Sequence, residues 1–123
     1  GRFAALPGRM AARREGGEIL IVDNANSGTN MMTTIEAARY ARELSGGAPL
    51  TLVIGEEARA ICEGGFSRNE ILRTVSTVAP AETVYVGGEG GHPAATLEEG
   101  GLDAARTLTP PAGAIVLAVK TWR

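Results

Sequence analysis

The sequence predicts an α/β fold: a three-layer sandwich in which a mostly parallel sheet has helices on both faces and an antiparallel hairpin at one edge. Three observations predict it. Four short segments are almost continuously apolar, segments with helical periodicity lie between them, and a Gly-Gly pair precedes the first apolar segment. Strands that alternate with helices along a chain form βαβ units, which build parallel sheets.

The predicted strands are residues 18–23 (EILIVD), 50–55 (LTLVIG), 83–88 (TVYVGG) and 114–120 (AIVLAVK). Near-continuous apolar sequence is typical of strands that are covered on both faces. Gly16 and Gly17 stand between RMAARRE and the first strand, and glycine supplies the positive φ that tight hairpin turns need. We therefore expect a hairpin that adds an antiparallel strand at one edge of the sheet.

Helices are predicted over residues 33–44 and 67–79, where apolar residues recur at helical spacing. These apolar residues are Ile35, Ala38, Ala41 and Leu44 in the first segment, and Ile71, Leu72, Val75 and Val78 in the second. A third helix is expected over LDAARTL, residues 102–108, and a short one over residues 56–62.

Three of the expected helix starts carry a Ser or Thr that is followed three residues later by Glu, which is the capping-box pattern. The pairs are Thr33 with Glu36, Ser67 with Glu70, and Thr96 with Glu99. Gly100 and Gly101 follow the third pair. Because glycine has a low helix propensity, the third helix is expected to be weakened or to start late.

Length and composition indicate one globular domain. The chain has 123 residues, 44% of them hydrophobic, with a formal net charge of -2 and a pI near 5.4. Without net basicity, and with only 4% aromatic residues, it is not expected to bind nucleic acid or an anionic membrane surface. No apolar run approaches the roughly 20 residues of a membrane span, and no signal peptide is recognisable. The single cysteine, Cys62, excludes an internal disulfide, so a cytoplasmic protein is expected.

The first residues, GRFAALPGRM, begin without a methionine and read as a linker. We expect residues 1–9 to be the remnant of an interdomain linker, and residues 10–123 to be one domain of a longer chain.

The first predicted strand ends in a carboxylate, Asp23, and runs into a dense polar loop in the sequence DNANSGTN. In open α/β sheets, ligands bind beyond the carboxyl ends of the strands. An ionised carboxylate only accepts hydrogen bonds, so Asp23 suits the two hydroxyls of a ribose. The alternative is that Asp23 caps the loop or the next helix. The Asn, Ser and Thr side chains of the loop serve either interpretation.

Several basic residues could likewise either bind an anionic ligand or remain exposed to solvent. Arg9 follows a Pro-Gly pair, where its guanidinium either forks onto a phosphate or remains an exposed linker charge. Lys120 and Arg123 end the last strand, at the same sheet edge as the polar loop if the strands are parallel. They either meet an anion or keep the terminus in solvent. Arg13 and Arg14 are expected to decorate a solvated edge.

The sequence contains no complete nucleotide-hydrolysing or metal-binding signature. It has no GxxxxGK[ST] motif, and GGEGGH at residues 87–92 is out of register with GxGxxG and reads as a flexible turn. His92 is the single histidine and has no recognisable partner for a catalytic triad. Cys62 with one histidine is too few ligands for a zinc site. We therefore expect no metal-ligating residues in this chain.

Two motifs at a fixed separation give the chain its resemblance to a known family. PGRM is followed, fourteen residues after Arg9, by a strand that ends in DNAN. This pairing resembles the start of the C-terminal domain of the Mur ligase superfamily, and the terminal AIVLAVKTWR looks like the last strand of that domain. The loop is most like that of the Mur-ligase-like coenzyme F(430) synthetases of methanogenic archaea.

The resemblance implies a Rossmann-like domain that closes over ATP in a three-domain ligase. Its partners would be the N-terminal and central domains of the same chain, and the central domain would carry the phosphate loop and the ligands of Mg2+. Such ligases use ATP to activate a small-molecule carboxylate as an acyl phosphate, which a nucleophile then attacks. The isolated domain is accordingly expected to be inactive.

The resemblance also implies roles for single residues. Arg9 is expected to reach the ATP phosphates, and Asp23 to contact the ribose or to pair with Arg9 in the open state. Asn26, which falls where many members have His, is expected to face the nucleotide. The acceptor substrate is expected to contact Asn24, Ser27, Thr29, Asn30 and Lys120.

The chain departs from the better-known members in two places. DNANSGTN has neither the His of D-Y-A-H nor the Lys of D-S-K-A-T-N, and Thr121 replaces the Gly that usually follows the last-strand Lys. These departures favour ring closure on a nickel tetrapyrrole, the reaction of the coenzyme F(430) synthetases, over amide formation. The alternatives are an amide-forming Mur-type ligase, a non-catalytic module that binds a nucleotide or small anion, and a pure interaction domain.

Overall fold

The computed structural model describes residues 4–5, 10–57, 66–87 and 97–121 of the chain. Within them, six strands form one sheet. The strands are β1 (Ala4–Ala5), β2 (Ala11–Glu15), β3 (Ile19–Asp23), β4 (Leu50–Glu56), β5 (Glu82–Val86) and β6 (Ala114–Lys120). The helices are α1 (Met31–Ser45), α2 (Arg68–Val78) and α3 (Leu102–Leu108).

The sheet is mostly parallel, as the sequence predicts. Its strand order is β1-β2-β3-β6-β4-β5, and the four strands from β3 to β5 in this order all run parallel. In β4 and β6, every residue except the last is buried, which explains why their sequences lack polar alternation. The fold is therefore a Rossmann-like three-layer α/β sandwich, and the predicted fold class is confirmed.

The antiparallel hairpin at the sheet edge is also confirmed. Strand β2 pairs antiparallel with β3, and a single 3-10 turn, Gly16–Glu18, joins them. The two-residue strand β1 pairs with β2 and lies outermost in the sheet. The register places Ala11 opposite Asp23 and Arg13 opposite Ile21. Because side chains alternate between faces along a strand, Arg13 and Asp23 lie on the same face.

The first helix begins earlier than its sequence predicts. Helix α1 starts at Met31, and its N-cap is Asn30, whose side chain accepts a hydrogen bond from the Thr33 N–H at 3.0 Å. The predicted pairing of Thr33 with Glu36 is wrong, because Thr33 is the third residue of the helix. Its hydroxyl instead accepts from the Asn30 N–H at 3.1 Å and completes the capping box.

Of the other predicted helices, two are found in the structure and one is wrong where it can be checked. Ser67 is the N-cap of α2 and accepts from the Glu70 N–H at 3.2 Å, as predicted. Helix α3 starts at Leu102, directly after a π-helical turn, Leu97–Gly101, whose backbone is not helical at Gly100, so the predicted weakening at the glycine pair is confirmed. The short helix predicted over residues 56–62 is wrong at its first residue, because Glu56 ends β4. The rest of that predicted helix, residues 58–62 with Cys62, lies outside the described residues. The same is true of His92 and Thr96.

Two apolar layers cover the two faces of the sheet. One joins α1 and α2 to Leu20, Val22 and other residues of that face, and the other joins α3 to Ile19, Ile21 and the opposite face. Asp23 follows Ile21 by two residues, so it is placed on the face that α3 covers. No helix in the described part of the chain has the length and apolar character that a bilayer crossing requires.

Candidate functional site

The polar loop and the end of the last strand meet at the carboxyl edge of the sheet. Asp23 pairs in register with Leu117 of β6, and β6 continues for three more residues to Lys120. The loop follows it: the Asn24 N–H donates to the Leu117 carbonyl at 2.9 Å, and Asn26 forms a parallel bridge with Lys120. The sequence prediction that Asp23, the loop and Lys120 share one sheet edge is therefore confirmed.

Asp23 uses its two carboxylate oxygens differently. Oδ1 accepts a hydrogen bond from the Ala25 N–H at 2.9 Å, so Asp23 caps the start of the loop. The cap of the next helix is Asn30, not Asp23. Oδ2 lies 3.6 Å from Nη1 of Arg13, and the Asp23 side chain is 19% exposed. The capping role is thus observed, and the ribose contact stays a prediction.

The inner side of the loop consists of buried polar side chains that hydrogen-bond to the loop itself. Asn24, Asn26 and Thr29 are 2%, 6% and 0% exposed. Asn26 donates from Nδ2 to the Asn24 carbonyl at 3.2 Å and accepts at Oδ1 from the Gly28 N–H at 2.8 Å. The Thr29 hydroxyl donates to the Asn24 carbonyl and accepts from the Asn26 N–H at 3.1 Å. These three predicted ligand residues hold the loop in shape.

The outer side of the loop presents the remaining predicted residues. Ser27 and Asn30 are exposed, and Lys120 is half-buried. Asn30 uses its side chain as the cap of α1, which fixes it at the junction of loop and helix. A ligand that approaches this edge would therefore meet Ser27, Asn30 and Lys120 before Asn24 or Thr29.

A charged cluster lies beside Asp23 on the face that α3 covers. It consists of Arg13, Glu15, Asp23, Asp103 and Arg106. Arg106 donates from Nε and Nη2 to Glu15 Oε2 at 3.0 and 2.8 Å, and from Nη1 to Asp103 at 2.9 Å. Arg13 donates from Nε to Glu15 Oε1 at 3.2 Å. The prediction that Arg13 decorates a solvated edge is wrong, because the hairpin register places it between two carboxylates.

The charged cluster lines a cavity of about 240 Å3 next to Asp23. Leu97, Leu102 and Leu117 form its apolar part, and every member of the cluster except Glu15 contributes to its rim. A larger open groove of about 400 Å3 lies between α1 and α2, on the opposite face of the sheet. Asp23 therefore adjoins a concave surface with both apolar and charged parts.

Electrostatics within the cluster favour the ionised form of Glu15. Burial raises the pKa of its carboxyl group, but the hydrogen bonds and charges of Arg106 and Arg13 lower it by more. The net pKa of Glu15 is therefore below its usual value of 4.5. The hydrogen bonds that Arg106 donates to the Glu15 carboxylate likewise raise the pKa of Arg106. Glu15 is thus a fixed negative charge between two arginines.

Some predicted residues lie outside the described part of the chain, and others were missed. Arg9 and Arg123 lie outside it, so the proposed pairing of Arg9 with Asp23 stays a prediction. The sequence could have indicated Arg13 and Glu15 as neighbours of Asp23. In a hairpin, side chains alternate between the two faces of the sheet, and this alternation places both residues on the face of Asp23. No such pattern indicates Arg106. Among the described residues, no group of three His, Cys, Asp or Glu side chains is arranged to hold a metal ion.

Comparisons with known proteins point to one family. The family model described as "Coenzyme F430 synthetase CfbE, C-terminal domain" matches residues 13–121. The coenzyme F(430) synthetase of Methanosarcina acetivorans is 35% identical to the chain over 65 residues. That alignment covers 50% of this chain and 14% of the relative, so the match spans a small part of the relative's length. No solved structure matches the chain.

Proposed function

The chain belongs to the family of coenzyme F430 synthetase C-terminal domains, and from this premise we propose that it completes the ATP site of a multidomain ligase. In this proposal the full-length enzyme activates a small-molecule carboxylate as an acyl phosphate. The activated carbonyl then closes a carbocyclic ring on a nickel tetrapyrrole. The partners of this domain are the N-terminal and central domains of the same chain.

The observation that carries the proposal is the position of Asp23. It lies at the carboxyl end of β3, where α/β sheets bind their ligands, and it adjoins the cavity of about 240 Å3. Its carboxylate is anchored from both sides, by the Ala25 N–H and by Arg13. A fixed, partly exposed carboxylate of this kind suits the hydroxyls of a ribose.

The proposed reaction needs positioning more than covalent chemistry from the protein. A carboxylate oxygen of the substrate forms a bond to the γ-phosphorus of ATP, and ADP leaves. A carbon nucleophile then attacks the acyl carbon, and inorganic phosphate leaves as the ring closes. Asp23 holds the ribose, and Arg9 reaches the phosphates from the linker. As the resemblance to the Mur ligase superfamily implies, we assign Mg2+ mainly to the central domain.

The loop after Asp23 supports a site that is built before substrate binds. Its inner polar groups already hydrogen-bond to one another, so the loop does not have to reorganise to receive an acceptor. Preorganisation lowers the entropic cost of binding. The acceptor is then met by the outer residues Ser27, Asn30 and Lys120.

The proposal is tested on the full-length protein with ATP and a tetrapyrrole carboxylate. We expect ADP release that depends on the carboxylate, and an acyl phosphate that hydroxylamine traps as a hydroxamate. The 123-residue chain alone should show no turnover, because it lacks most phosphate contacts. Product formation without ATP would contradict the proposal. Trapping with an amino-acid acceptor and amide formation would instead identify an ordinary Mur-type ligase, and ATP binding without ADP release would identify a non-catalytic module.

A further inference from the structure

The geometry of the charged cluster points to a residue that sets the position of Asp23. We infer that Arg13 is a positioning residue for Asp23, and that Glu15 and Arg106 hold Arg13 in place. This inference rests on the proposed function, because it concerns how Asp23 is presented to the ribose of ATP. The family match assigns no role to Arg13.

The hairpin register brings Arg13 to Asp23. Arg13 pairs with Ile21 across the β2–β3 ladder, and Asp23 lies two residues farther along β3 on the same face. Diagonal neighbours of this kind are within reach of long side chains. Nη1 of Arg13 lies 3.6 Å from Asp23 Oδ2, and the two side chains are 29% and 19% exposed. The pair is therefore partly shielded from solvent, which strengthens it relative to a surface ion pair.

Glu15 fixes the other end of the Arg13 guanidinium. Its Oε1 accepts from Nε of Arg13 at 3.2 Å, and its Oε2 accepts from Arg106 at 3.0 and 2.8 Å. Each oxygen of Glu15 thus engages a different arginine. Arg106 is held in turn by Asp103 on the same helix. The chain of contacts runs from α3 through β2 to β3, and it ends at Asp23.

Removal of Arg13 would take away the side chain that links Glu15 to Asp23. Arg13 is the cation between Glu15 and Asp23, since its Nε contacts the first and its Nη1 lies near the second. Without that cation, Oδ2 of Asp23 loses its ion pair with Arg13, while Glu15 keeps its hydrogen bonds from Arg106. The Ala25 N–H still holds Oδ1, so we expect Asp23 to stay at the site with a less fixed orientation.

A kinetic experiment on the full-length enzyme separates positioning from other roles. We expect Arg13→Gln to raise the KM for ATP about two- to fivefold, the range of a partly exposed ion pair, with kcat nearly unchanged. Arg13→Lys should give a smaller increase, because it keeps the positive charge but has one nitrogen where arginine uses two. Arg106→Gln should raise the KM for ATP less than Arg13→Gln does. In that variant Glu15 loses the hydrogen bonds from Arg106, but Arg13 is still present beside Asp23.

The decisive variant is the double substitution Arg13→Gln with Asp23→Asn. If Arg13 acts through Asp23, the double variant should have the same KM for ATP as Asp23→Asn alone, because Arg13→Gln then adds no further increase. An equal increase in both backgrounds would show that Arg13 acts independently of Asp23, by touching the nucleotide or by supporting the fold, and would overturn the inference. Thermal unfolding of each variant identifies a loss of folded protein.

The control variant is Arg39→Gln. Arg39 also pairs with two carboxylates, Glu36 and Glu43, but it lies exposed on α1, on the opposite face of the sheet. Its loss should leave the KM for ATP unchanged. Failure of the inference and failure of the proposed function give different results. If Asp23→Asn itself leaves the KM unchanged, the proposed function fails. If only Arg13→Gln has no effect, the inference alone fails.

Discussion

Replacement of Thr29 by valine tests whether the polar loop is held by its own buried hydrogen bonds. Thr29 is fully buried, its hydroxyl donates to the Asn24 carbonyl, and its Oγ1 accepts from the Asn26 N–H at 3.1 Å. Valine has nearly the same shape but no hydroxyl. The substitution therefore removes both hydrogen bonds without opening a cavity.

The expected magnitude follows from what each former partner retains. The Asn24 carbonyl still accepts from Nδ2 of Asn26 at 3.2 Å, so it is not left without a donor. Loss of the Thr29 hydroxyl therefore costs this carbonyl one ordinary hydrogen bond, about 1 kcal/mol. The Asn26 N–H loses its acceptor inside the loop, which costs about 1–3 kcal/mol. We expect the free energy of unfolding to fall by about 2–4 kcal/mol in total.

The measurement is urea denaturation, combined with amide hydrogen exchange at Asn26 and Gly28. Both amides should exchange faster in Thr29→Val, because both belong to the network that the hydroxyl supports. Thr29→Ser keeps the hydroxyl and should retain most of the protection. Thr77→Val removes an exposed hydroxyl that donates to the Arg73 carbonyl at 2.8 Å within α2, and should change stability by less than about 0.5 kcal/mol. A loss below about 0.5 kcal/mol in Thr29→Val, with unchanged exchange, would refute the reasoning.

Two further predictions concern stability. Ala79 ends α2 in the left-handed region, with φ 49°, so Ala79→Gly should raise the free energy of unfolding by up to about 1 kcal/mol in denaturation experiments. Ala81→Gly, at a residue without positive φ, should give no gain, and an equal gain at both sites would exclude the backbone explanation. Because the folded-state pKa of Glu15 is lowered, its stabilisation is complete above about pH 4.5 and is lost as pH falls through the folded-state pKa. Arg106→Gln should therefore lose less stability than wild type between pH 6 and pH 3 in urea titrations, and equal losses would contradict the assigned cause.

The parts of the fold that sequence predicts are those in which local pattern and burial agree. The strands β4 and β6 are apolar along their length because both faces are covered. The hairpin turn falls at the Gly16-Gly17 pair, as the sequence predicts, but its left-handed backbone includes Glu18, with φ 61°. The break between the π-helical turn Leu97–Gly101 and α3 falls at Gly100, within the predicted glycine pair. In each case a few neighbouring residues suffice to determine the backbone.

The parts that sequence does not predict depend on choices between similar residues or on distant contacts. The loop before α1 offers several polar side chains, and only the extended backbone of Asn30 makes that residue the cap. Asn24 and Thr29 look like ligand residues in the sequence, but the fold buries them. The pairing of Glu15 with Arg106 joins residues 91 positions apart, and no local pattern encodes it.

The most direct test of the proposed ATP site is the affinity of the full-length protein for a non-hydrolysable ATP analogue, measured by calorimetry. We predict that Asp23→Asn weakens binding about tenfold or more, because a hydrogen bond to a charged group contributes about 1.5–3 kcal/mol. The matched control is Glu43→Gln, which removes an exposed carboxylate on α1 and should bind like wild type. Equal affinity of wild type and Asp23→Asn would contradict the proposal that Asp23 faces the nucleotide.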